Sequence, residues 1–217
     1  MTERSRVKFP PLLTIILPVL LTILFVHVSA PIMIVSLFFI SNVITGNFWG
    51  IIATEKLHIP VQNLALFPFV RSAVMLFFFF FVMPRIRKMH FKLPMSLGFL
   101  GFVASQLLLI TAPNQSYLFL AISVFLEAFC FAAVSPLVDQ MVVMTIDAKE
   151  RARIQSILQV GIILITTPFG WIAGTLSGID KSLPFVLNIV LFAAGAALAY
   201  IAGNASQKNP AVEVVTP

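Results

Sequence analysis

Seven apolar runs follow one another along this chain, and the polar breaks between the last six are only a few residues long. The runs are Pro10–Ser29, Ile32–Thr54, Val61–Met83, Leu93–Ile110, Tyr117–Ile146, Ile154–Ser177 and Leu183–Ala202. A helix needs about 20 apolar residues to cross the hydrocarbon of a bilayer, and several runs reach that length. The breaks "EKLHIP", "RIRKMHFK", "APNQS", "DAKERAR" and "GIDKS" are too short to hold a soluble domain. Inside lipid every backbone N–H and C=O must be satisfied within the protein, which makes helices of continuous apolar runs. The pattern predicts an all-α, polytopic membrane helical bundle.

Charge content points the same way. Only 10% of the 217 residues are charged and 59% are hydrophobic, with a mean hydropathy of +1.03. A soluble domain carries roughly 25% charged residues, so this chain has too few to cover a water-facing surface. Its net charge of +6 is therefore read loop by loop as orientation, and not as a sign of a nucleic-acid partner. The "RIRKMHFK" break carries four Lys/Arg, the "DAKERAR" break three and the C-terminal tail one. The "EKLHIP" and "GIDKS" breaks carry one each, and "APNQS" none. Eight against two places the basic breaks and the C-terminus in the cytoplasm. Six transmembrane helices then run from Ile32 to Ala202, in a multi-pass protein of the cell membrane.

The first run does not fit that count as a span, because Arg4, Arg6 and Lys8 would then lie outside. "RSRVK", an apolar stretch and "VSA" have the form of a secretory signal. Cleavage there would put Pro31 just after the cut and invert every later loop. An extra apolar N-terminal helix, lying along the inner membrane face or packed on the bundle, suits the charges better. The expected organisation is a basic tail and apolar helix over 1–30, six spans over 31–203 and a cytoplasmic tail over 204–217.

Arg71 stands inside an apolar span, where a charge costs several kcal/mol unless it faces protein or water. It lies about ten residues, or ~15 Å, from the outer end of its span, and Glu127 lies about as deep in the fifth run. No other opposite charges share that depth, so the two are expected to pair. The pair is either a structural tie between helices or a substrate-binding or proton-coupled pair in the cavity; the remaining alternative is that the two charges do not meet. A carboxylate beside a cation in a low-dielectric site can load and release a proton as its surroundings change.

Neutral polar residues add to these candidates. Asn42, Thr45 and Trp49 recur at spacings of three and four and so share a helical face, extended by Phe38. An amide, a hydroxyl and an indole suit a pocket for an amphipathic organic molecule; interhelical hydrogen bonding is the plainer use. Asn47 projects elsewhere. Gln155, Gln159 and Thr166 share a face of the sixth run, and Gly170, Gly174 and Gly178 recur every four residues, a pattern that lets another helix approach closely. Pro168 is expected to kink that helix. Cys130 has no disulfide partner and reads as a small packed residue, while Phe77–Phe81 covers every side of its helix and reads as lipid contact and packing. His27, His58 and His90 lie near membrane edges. Metal-ligand, nucleotide-binding and catalytic motifs are missing from the sequence, so no enzyme activity, cofactor or metal is expected.

"ISNVITGNFWGIIATEKLHIP", "ALFPFVRSAVMLFFFFFVMPRIRK" and "DAKERARIQSILQVGIILITTPFGWIAGTLSGID" resemble the second half of a major facilitator superfamily transporter. The resemblance covers about residues 31 to 203 and is strongest from Asp147 to Asp180. It implies one half of a secondary active transporter, moving a small organic solute by alternating access, with proton-coupled efflux as one form. Full transporters of this kind pair two six-span halves around a midplane site. A complementary six-span half, a second copy of this chain or a truncated product are the three expectations for the rest. The family also implies cytoplasmic salt bridges that close an inner gate, for which Asp139 lies near Arg85, Arg87, Arg151 and Arg153; a solvated interfacial charge is the alternative. Against transport stands a membrane scaffold or subunit that only assembles with another protein.

Overall fold

A computed structural model describes residues 32–86, 92–144 and 151–208; the apolar run Pro10–Ser29 lies outside them. Among the described residues there is no strand, and six helices are long and apolar enough to cross a membrane. They are α1 (Ile32–Lys56) and α2 (Val61–Arg85), α3 (Lys92–Thr111), α4 (Tyr117–Met144), α5 (Arg151–Ile179) and α6 (Leu183–Lys208). The all-α polytopic bundle expected from the runs is the fold observed.

Several helices outrun the apolar segments that announce them. α5 starts at Arg151, so Arg151 and Arg153 of the basic break are helical, and α6 continues past Ala202. α1 ends in a π-helical turn, Ile52–Lys56, closed by Leu57 N–H donating to Ile52 O at 3.0 Å. Once a helix is nucleated, each added residue gains a hydrogen bond, so a change of polarity alone does not stop it. α2 is interrupted at Ala65 and Val82, each just ahead of a proline, Pro68 or Pro84, that has no N–H to give the helix. Pro136 and Pro168 lie within unbroken α4 and α5.

The central helix is α3, which packs on α6 and α4; α2 packs on α4, and α5 on α6. Because lipid is as apolar as the core, close van der Waals fit does most of the holding. Small residues provide it. A Cβ on Gly98 would strike the Val134 side chain, one on Gly101 the Cys130 sulfur, and one on Gly195 the Phe99 ring. Cys130 is buried and unpaired, packed at this α3–α4 seam. Reciprocal bonds between Ser105 and Ser123, each hydroxyl donating to the other's carbonyl at 3.0 Å, fasten the same helices. α2 and α5 are peripheral: only 17% of each span is buried, against 50% of α4. Phe78 packs edge-on against Phe129 at 4.7 Å, while Phe77, Phe79, Phe80 and Phe81 are exposed.

At the end away from the basic loops, termed distal, the three connections are tied together. Lys56 Nζ donates to Ile110 O at 2.8 Å and to Ser182 Oγ at 2.5 Å. Glu55 and Lys181 pair at 3.0 Å, and Gln115 N–H donates to Leu57 O at 2.8 Å. Asp180 accepts from Ser182 N–H at 2.6 Å, and that backbone bond holds its carboxyl below the ordinary aspartate range.

Candidate functional site

α2 and α4 run in the same direction from the distal end, where Asn63 Nδ2 donates to the Tyr117 hydroxyl at 3.0 Å. Parallel helices joined at one end keep equal residue counts at equal depth. Arg71 and Glu127, each ten positions into its helix, therefore meet: Arg71 Nη2 lies 3.3 Å from Glu127 Oε1. The carboxylate side chain is 6% exposed and the guanidinium 32%. Arg71 Cζ also sits 5.3 Å from the centroid of the Phe131 ring, one turn beyond Glu127. α4 thus offers the cation a carboxylate and an aromatic face together, both favourable to a guanidinium.

Beside the pair is a cavity of about 90 Å³, lined by Trp49, Phe67, Pro68, Arg71, Val124 and Glu127. Trp49 of α1 meets Phe67 of α2 edge-on at 5.7 Å. Its Nε1 is buried and has no hydrogen-bond partner among the described residues. An indole N–H is a donor only. The cavity combines an ion pair with aromatic surface, kinds of group that line ligand sites, in a volume well below the roughly 300–1,000 Å³ of sites for drug-sized molecules.

A profile of the Major Facilitator Superfamily matches residues 32–214. The chain belongs to the major facilitator superfamily. It is accordingly a multi-pass membrane transporter protein, and its described residues hold the span count of one superfamily half. No curated protein and no solved structure gives a match.

The remaining candidates are spread through the superfamily bundle. Asn42 donates to Phe38 O of its own helix at 2.7 Å. Thr45 is buried, accepting from Asn188 Nδ2 of α6 at 2.9 Å. Gln159 is exposed on α5, and the side chains of Gln155 and Arg151 lie outside the described set. Thr166 donates to Ile163 O at 3.1 Å within α5. The row Gly170, Gly174 and Gly178 has nothing within 4 Å of an added Cβ, so no described helix of this chain uses it. Among the described residues no ion pair joins Asp139 to Arg85; Arg85 Nη1 donates to Phe81 O at 3.1 Å. Sequence reasoning passed over Phe67 and Phe131, which look like any other phenylalanines among 22. It also passed over Asn188, a lone amide in an apolar run and so detectable by the criterion that found Asn42.

Proposed function

We propose that this chain is one half of a secondary active transporter that moves a small organic solute across the cell membrane by alternating access. It works opposite a complementary six-span half or a second copy of itself, with the C-terminus in the cytoplasm. The observation that supports this reading is the Arg71–Glu127 pair in the wall of a cavity that Trp49 also lines. Glu127 takes up a proton when the cavity opens to one side and gives it up on the other, so that solute and proton movements are coupled. When Glu127 is protonated, Arg71 loses its counter-ion and turns to the solute. The exposed faces of α2 and α5 support a partner seated along them, as does the open glycine row of α5. Arg85, Asp139 and Arg151, at the cytoplasmic ends, form the inner gate.

Membrane vesicles from cells expressing the chain together with its facing half, loaded with a pH indicator, test this. Aromatic amphipathic solutes should drive proton movement, and Glu127→Gln should abolish that coupling while the assembly still forms. Solute flux without proton movement would remove the coupling. An intact assembly that moves no solute would leave the chain a scaffold.

A further inference from the structure

Phe102 of α3 stacks on Phe192 of α6 with ring centroids 4.6 Å apart, and Phe38 of α1 lies 6.2 Å from Phe102. α1 and α3 run toward the distal end and α6 runs away from it. One turn distal of these rings is therefore three or four residues on in α1, four on in α3 and four back in α6. Those positions hold Ser41, Gln106 and Asn188. The α1–α6 side of this layer is bonded directly, Asn188 Nδ2 donating to Ser41 O at 3.2 Å and to Thr45 Oγ1 at 2.9 Å. Further distal, Ile52, Leu109 and Phe185 belong to one apolar cluster. A polar layer thus lies between rings on one side and an aliphatic and aromatic cap on the other.

Ser41, Gln106 and Asn188 are each 0% exposed. Ser41 Oγ, both amide atoms of Gln106 and Asn188 Oδ1 nevertheless have no partner among the described residues. Buried polar atoms in native proteins are nearly always bonded to protein or to ordered water, and internal waters take places where several such atoms converge. The unmet set is mixed. Gln106 Nε2 brings two N–H donors, Gln106 Oε1 and Asn188 Oδ1 accept, and the Ser41 hydroxyl does either. A cation would satisfy the oxygens alone, would face the Nε2 hydrogens and would find no carboxylate in the layer. Water, which both gives and takes, fits every member.

We propose that the Ser41–Gln106–Asn188 layer binds internal water, which bridges Gln106 of α3 to the α1–α6 pair. α1 is the helix that brings Trp49 to the cavity, two turns beyond Ser41. A water bridge can exchange one partner for another, so α1 can shift against α3 and α6 without stranding a polar group.

Radiolytic hydroxyl footprinting of the full chain in nanodiscs tests this, because radicals form at bound water and oxidise only adjacent side chains. Phe102 and Phe192 should be oxidised, although they are buried, whereas the equally buried Phe78 should not. Gln106→Leu should remove the oxidation and lower the thermal midpoint, since Ser41 and Asn188 would lose the bridge. Phe102 and Phe192 as unreactive as Phe78 would overturn the proposal. A higher midpoint in Gln106→Leu would overturn it too, since it would mean the amide had been dry. A wild-type midpoint that rises when choline is replaced by sodium, with no such rise in Gln106→Leu, would put a cation there in place of water.

Discussion

Replacing Arg71 or Glu127 alone by alanine leaves the other charge in a low-dielectric wall, and removing one partner of a buried pair typically costs about 3–5 kcal/mol. Arg71 is partly exposed, so the replacement of Glu127, which strands Arg71, should fall toward the lower figure. Both Arg71→Ala and Glu127→Ala should lower the thermal midpoint in detergent. Arg71→Met combined with Glu127→Leu should recover it, because the pair then becomes apolar packing. An Arg71→Ala variant as stable as the parent would show that the 3.3 Å contact contributes nothing. This pair was legible in the sequence because opposite charges in lipid have few other choices and depth can be counted along a helix. The partner of Thr45 was not legible. Asn188 is neutral and lies 143 residues away, and nothing in local spacing connects the two.

Glycine spacing shows a similar divide among the helices. The row on α5 is plain from its period of four, yet Gly98 and Gly101 of α3 are the ones pressed against a neighbour. Periodicity identifies a face that admits close approach; the partner helix decides whether it is used. Gly98→Leu should therefore cost about 1–3 kcal/mol through overpacking at Val134. Gly174→Leu should leave the midpoint of this chain unchanged and show its effect, if a partner docks there, only in assembly measured by size-exclusion chromatography. The α5–α6 connection should respond to pH. Asp180 is held below its ordinary value of 3.8 by the Ser182 N–H, so the contact is intact at neutral pH and is lost as pH falls through that lowered value. A spin label at Ile179 should become more mobile on acidification, and in Asp180→Ala it should be mobile at every pH.

For the bundle as a whole, number and order of spans were legible because lipid imposes length and apolarity on each. Helix ends were less so, since charged residues such as Arg151 extend helices into the interface. The charge bias sets a testable orientation: membrane-impermeant thiol reagents applied outside should reach cysteines at His58 and Asn114, and not at Lys88 or Lys149. Labelling of Lys88 from outside would refute the six-span orientation. A reconstituted monomer of this chain should carry no solute, because the proposed transport holds the solute between these six described spans and a facing half. The ties of Lys56 also bear on how the protein is made. Its bonds reach Ile110, 54 residues later, and Ser182, 126 residues later, while Ser41 waits 147 residues for Asn188. During synthesis α3 and α4 can clasp at once, through serines 18 residues apart, and α1 can meet α3 through Lys56 and Ile110, but its bonds to Asn188 wait until the last helix has left the ribosome. A nascent chain stalled before Leu183 would therefore present α1 without the amide from which Thr45 accepts, a form that membrane quality control can recognise and remove.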